Sequence, residues 1–182
     1  MDPAIAAALI ASPTAVVAAA AAFAAGQAQA RGAHRGPVDA VRRQHQRDAY
    51  AAHLGALHTY AAATSWEACY SRALENTIMA SGVPLSPTAA DMVPEGARTL
   101  VANVPIAELM RTGAAVELEG PEDIAAAARI TMGTARQVKM TARTPFASPN
   151  DYVNVVRAHG VLEDAITGFV GAARTHLNGA TE

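Results

Sequence analysis

The sequence predicts an all-α protein: an alanine-rich apolar helix at the N-terminus, followed by an up-and-down antiparallel bundle of about four helices. Three observations predict it. Residues 4–25 form an almost unbroken run of alanine, valine, isoleucine and leucine. Behind that run, apolar residues recur at intervals of three and four, the repeat of helices buried on one side. Aromatic residues make up only 4% of the 182 residues, so the core must be alanine, valine, leucine and methionine, a composition suited to closely packed helices rather than sheets.

The opening run is long enough to span a bilayer, which takes roughly 20 apolar residues. Alanine is nearly neutral for insertion, and the strong inserters are Ile5, Leu9, Ile10, Val16, Val17 and Phe23. Ser12, Pro13 and Thr14 interrupt the run, with Pro13 placed to kink the span or to open a helix capped by Ser12. A cleaved secretory signal fits less well: Ala28-Gln29-Ala30 has the small-x-small form, but Asp2 precedes the run and no Lys or Arg does. Arg31, Arg35, Arg42 and Arg43 follow it, so the positive-inside rule places the C-terminal bulk in the cytoplasm. The alternative is an alanine-faced helix buried against protein, because small residues let backbones approach closely. Residues 1–35 are thus read as anchor and basic flank, and residues 36–182 as the bundle.

Gly36-Pro37 opens the first long helix of the bundle, expected to run to about Ser81. Tyr50, Leu54, Leu57 and Ala61, then Trp66, Tyr70, Leu74 and Ile78, mark its apolar face. Gly82 and Pro84 stop it. Prolines at 84, 87 and 94 predict a connecting loop to Gly96 with at most one turn after Pro87. A weaker helical pattern over residues 97–119 carries Leu100, Val104, Leu109, Met110 and Val116, with a break near Pro105 and a weak point at Gly113. Alternation in Val116-Glu117-Leu118-Glu119 also permits a short strand.

Gly120-Pro121-Glu122-Asp123 combines a glycine stop, a proline at the first helical position and two acids at the positive end of the next helix. That helix carries Ile124, Ala127, Ala128, Thr131, Ala135 and Val138 inward and ends near Arg143, with Arg136, Lys139 and Arg143 toward its negative end. Ser148-Pro149-Asn150-Asp151 reads as a capping-box variant. The last helix follows, with Tyr152, Val155, Val156, His159, Leu162, Ile166, Phe169, Ala173 and Leu177 on one face until Asn178-Gly179.

The sequence assigns no catalytic, cofactor-binding or metal-binding residue. His45, His53 and His58 lie on one helix at separations of eight and five, whereas a helical ligand pair needs three or four. Asp48 is three residues from His45, a spacing that a surface hydrogen bond explains. His159, with Glu163 one turn on, reads as a hydrogen-bonded core or interface histidine. Cys69 has only Arg72 nearby and reads as a buried small hydrophobe, and a single cysteine excludes an internal disulfide. The acids Glu67, Glu75, Asp91, Glu95, Glu117 to Asp123, Glu163 and Asp164 form no Glu-x-x-His pattern. No phosphate loop or nucleophile elbow occurs. The net charge of −2 argues against nucleic acid.

The passage QAQARGAHRGPVDAVRRQHQRDAY, residues 27–50, resembles a group of uncharacterised actinobacterial proteins of the streptomycete kind. The resemblance implies one N-terminal apolar span and a helical cytoplasmic part, and it gives no residue a chemical role. Taken together, the sequence reads as a non-enzymatic, membrane-anchored bundle acting through protein contacts as a homo-oligomer, with no cofactor and residues 38–78 as its main packing surface. Two alternatives share its features: a self-assembling shell or filament subunit with the alanine-rich helix buried in the assembly, and a pore-forming or membrane-perturbing effector.

Overall fold

The computed structural model describes residues 38–81, 87–148 and 150–179. The apolar run over residues 4–25, its basic flank and the stop at Gly82 and Pro84 lie outside the described residues. Chain contacts divide the molecule after Gln44, and the second unit is His45–Glu182. The described residues are an all-α helical bundle. Six helices occur among them: α1 (38–64), α2 (Trp66–Ser81), α3 (Pro87–Asn103), α4 (Ala107–Glu119), α5 (Glu122–Arg143) and α6 (Tyr152–Gly179). No helix among the described residues is long and apolar enough to cross a membrane.

The expected long first helix is divided in two at Ser65. Thr64 turns its hydroxyl back onto the carbonyl of Tyr60 at 2.8 Å, and the carbonyl of Ser65 accepts the first helical bond of α2 from the Cys69 amide at 3.0 Å. Glu67 then sits in the first turn of α2, where the helix end is positive. The break resets the helical phase. Cys69 and Ala73 face inward, whereas Tyr70 and Ile78, expected on the apolar face, are exposed.

The expected loop up to Gly96 is also corrected: α3 begins at Pro87 and runs through Pro94. An interior proline removes one backbone bond and costs about 3 kcal/mol. Val93, Ala97 and Val101, all completely buried, recur by fours on the inner face of α3 and offset that loss. Pro105, by contrast, does break the chain, separating α3 from α4. Residues 116–119 are helical, so the strand alternative does not hold.

Helix α5 is the hub of the unit, packing on α3, α4 and α6. Its inner face carries Ile124, Ala128, Thr131, Ala135 and Val138, each with no solvent exposure. It ends at Arg143 as expected. Lys139 does not serve its own helix end; it donates to the carbonyl of Val104 at 2.5 Å, just past α3. Arg98 of α3 returns the exchange by donating to the carbonyl of Ala142 near the end of α5, also at 2.5 Å. Each helix thus supplies a cation to the orphan carbonyls of the other. Before α6, Asp151 accepts from the amides of Ala147 and Ser148 at 2.7 and 2.8 Å, and the Ser148 hydroxyl accepts from the Asn150 amide at 3.3 Å. These bonds realise the capping-box variant.

Gly113 packs where α4 meets α1 and α5. A Cβ there would overlap Met132 Sδ, lie 2.8 Å from Met132 Cγ and stand 3.1 Å from His53 Cε1. At Gly133, on the outer face of α5, a Cβ would meet nothing within 4 Å. Alanine gains about 1 kcal/mol over glycine within a helix, whereas overpacking a tight core costs about 1–3 kcal/mol. Gly133→Ala should therefore raise stability by about 1 kcal/mol, and Gly113→Ala should lower it by about 1 kcal/mol. Opposite shifts of the urea midpoint check this pair; a stabilising Gly113→Ala would contradict the packing described.

Candidate functional site

The histidines separate once the helices are in place. His45 and His58 are exposed, and His53 is completely buried between α1, α4 and α5. Its Nδ1 lies 3.2 Å from the Thr112 hydroxyl and its Nε2 3.0 Å from the Thr131 hydroxyl. Burial pushes its pKa down to about 4, so the ring is neutral at pH 7. A neutral imidazole donates from one nitrogen and accepts at the other. One threonine therefore gives its hydrogen to the ring. The other receives from the ring and donates to its own helix: Thr112 to the Glu108 carbonyl, or Thr131 to that of Ala128. The edge of the ring region is sealed by Phe169, 5.1 Å away at 87°.

Other buried polar groups are similarly committed. Tyr60 donates to the Ala135 carbonyl at 3.0 Å, and burial raises its pKa to about 12. Gln46 donates to the Glu119 carbonyl at 2.7 Å. His159 Nε2 is 2.9 Å from the carbonyl of Ala61, which only accepts, so that nitrogen carries hydrogen; Nδ1 lies 3.7 Å from Glu163. Cys69 is buried and donates to the Ala63 carbonyl at 3.3 Å. Burial raises its thiol pKa, against a smaller opposing pull from Arg72. The hydroxyl of Tyr50 is the exception, buried without a partner among the described residues. Among the described residues, no three His, Cys, Asp or Glu side chains converge as a metal site would require.

No protein-family model, curated protein or solved structure matches the chain. The candidate site therefore rests on geometry, and the geometry is at the surface. The chain has one tryptophan, four tyrosines and three phenylalanines. Tyr50, Tyr60 and Phe169 are interior. Trp66, Tyr70, Phe146 and Tyr152 gather instead in a half-exposed cluster from α2, the α5–α6 link and the start of α6.

Trp66 lies at its centre. Its ring stacks on Tyr152 at 5.5 Å and 17°, and meets Phe146 at 6.0 Å and Tyr70 at 6.4 Å in tilted contacts. Tyr70 and Tyr152 are 38% and 36% exposed, enough to offer ring surface to a partner. Beside them is an open cleft of about 420 Å³ lined by Trp66, Glu67, Tyr70, Ser71, Pro94 and Tyr152. On the far side, the Arg98 guanidinium lies 5.9 Å from the Phe146 ring centre and is paired with Glu95. Hydrogen bonding between that pair holds the Glu95 carboxyl below, and the arginine above, its ordinary range. Valines 153 and 156 extend the apolar surface along α6.

Sequence reasoning misses this site. It places Trp66 and Tyr70 in the core because their spacing of four residues is the same for a buried stripe and a surface patch. The usable signal is scarcity: in a chain so poor in aromatics, Phe146 and Tyr152 flanking a helix start with nothing aromatic nearby are conspicuous.

Proposed function

We propose that this chain is a non-enzymatic, membrane-anchored protein that acts through protein contacts as a homo-oligomer. In this reading residues 4–25 form the anchoring helix, and the cytoplasmic part is an up-and-down antiparallel bundle. The observation that carries it is the exposed Trp66–Tyr70–Tyr152 surface. Tryptophan and tyrosine are the side chains that most often dominate the energetics of protein interfaces, because they bury much area at little entropic cost. This chain places its single tryptophan there, half-buried, rather than in its core. The exposed Val153 and Val156 of α6 supply further apolar area of the kind an interface covers. Among the described residues, the interior polar side chains other than Tyr50 are spent on one another and on backbone carbonyls.

The test is self-association of the full chain in mild detergent, followed by sedimentation velocity over a concentration series. Trp66→Ala should weaken association by at least about 30-fold, the loss expected of a hot-spot residue at about 2 kcal/mol. Unchanged association in Trp66→Ala, with the helical content preserved, would contradict the assignment of this surface.

A further inference from the structure

We propose that the cleft beside Trp66 is a receptor for an arginine side chain presented by a protein partner, with Glu67 as its counter-ion. This deepens the protein-contact reading and rests on it, since the partner supplies the cation. Three observations converge. The cleft is lined by Trp66, Tyr70 and Tyr152, side chains whose rings attract cations, tryptophan most strongly. Among the described lining residues only Glu67 is charged, and it is exposed. The third is an internal precedent: across the same cluster, Arg98 lies over Phe146 while Glu95 holds its guanidinium.

The precedent selects guanidinium over ammonium. A planar guanidinium stacks on a ring and still offers a two-pronged donor edge to a carboxylate, whereas an ammonium is a compact, strongly hydrated point charge. Trp66–Tyr152 with Glu67 repeats the ring-and-carboxylate combination of Phe146 with Glu95. In the second pair the cation comes from α3; in the first it comes from outside. A volume of about 420 Å³ accommodates an arginine side chain with part of its backbone. The open mouth of the cleft suits a residue projecting from a protein surface.

Trp66 is the only tryptophan, so its emission reports on the cleft directly. The experiment titrates the full chain in mild detergent with acetyl-Gly-Arg-Gly-amide and with the same peptide carrying citrulline or lysine. The arginine peptide should shift Trp66 emission saturably, with citrulline at least about tenfold weaker and lysine in between. Glu67→Gln should weaken the arginine peptide by about threefold to tenfold, leave the citrulline peptide unaffected and leave the helical content unchanged. Citrulline binding as tightly as arginine, lysine binding as tightly, or a Glu67→Gln variant that binds like the parent would each overturn the proposal. Self-association read separately distinguishes the two levels. Association lost in Trp66→Ala together with no arginine preference sinks only the cation receptor; an arginine preference in a chain that never self-associates sinks only the homo-oligomer.

Discussion

Replacing Phe169 by alanine should destabilise the bundle by about 4 kcal/mol, the largest loss expected of any single side-chain truncation here. Phe169 is 1% exposed and is the largest of the fully buried side chains. It meets Tyr50 edge-on at 6.3 Å and 84°, and His53 at 5.1 Å and 87°. Truncation removes the transfer energy of the ring, leaves a cavity and deletes both edge-to-face contacts, each worth about 0.5–1.5 kcal/mol. A domain of this size has about 5–15 kcal/mol in all, so a large fraction of its stability depends on this ring. Phe169→Leu should recover more than half of the loss. Urea unfolding followed by circular dichroism measures both, and a loss under about 1 kcal/mol for the alanine variant would contradict the packing at the α1–α6 contact.

Acid should destabilise the fold through His53. Its pKa falls from an ordinary 6.5 to about 4 in the folded chain because burial penalises the charged ring. Above pH 6.5 the ring is neutral in both states and the stability is complete. As pH falls from 6.5 toward 4, the unfolded chain takes up a proton that the folded chain refuses, and stability drops. Below about 4 both states are protonated and the drop levels off. The total is roughly 3 kcal/mol, since each tenfold loss of proton affinity on folding is worth about 1.4 kcal/mol. His53→Leu should flatten this arm. It should also be tolerated near neutral pH, because Thr112 and Thr131 each retain a carbonyl on their own helix as acceptor. Equal acid sensitivity in the parent and His53→Leu would contradict the assignment, as would a His53 proton resonance titrating near 6.5.

How much of the fold is legible in the chain differs from helix to helix. Helix α5 is readable almost to the residue, because Gly120-Pro121 with two acids marks its start and small or apolar residues recur by threes and fours along its inner face. Helix α6 is readable for the same reason: Ser148 and Asp151 close its start with side-chain bonds that depend on neighbours in sequence. Local chemistry decides such ends, and local chemistry is written in the chain.

Where sequence and structure part, tertiary contacts decide. Pro94 marks a loop by its own preference, yet the buried Val93, Ala97 and Val101 carry a helix through it. At Thr64-Ser65 each apolar stripe keeps its own rhythm of threes and fours, so the two read as one helix, although the step from Ala61 to Trp66 is five and capping chemistry makes two. A single unbroken helix would carry Cys69 and Ala73 away from the face that buries Leu57 and Tyr60, and the break turns them inward. The candidate site is hidden for a related reason. Its rings come from Trp66 and Tyr70 on one side and Phe146 and Tyr152 on the other, segments brought together only by the folding of α2 and α6. The interior polar centre is hidden likewise. Sequence weighs His53 by its spacing to His45 and His58, while its partners Thr112 and Thr131 lie on two other helices.

The oligomeric state of the full chain with and without detergent tests the central claim most directly. The account predicts that the chain needs detergent to remain dispersed and sediments there as a defined homo-oligomer, which Trp66→Ala shifts toward monomer. A chain that is recovered without detergent as a dispersed monomer would contradict it.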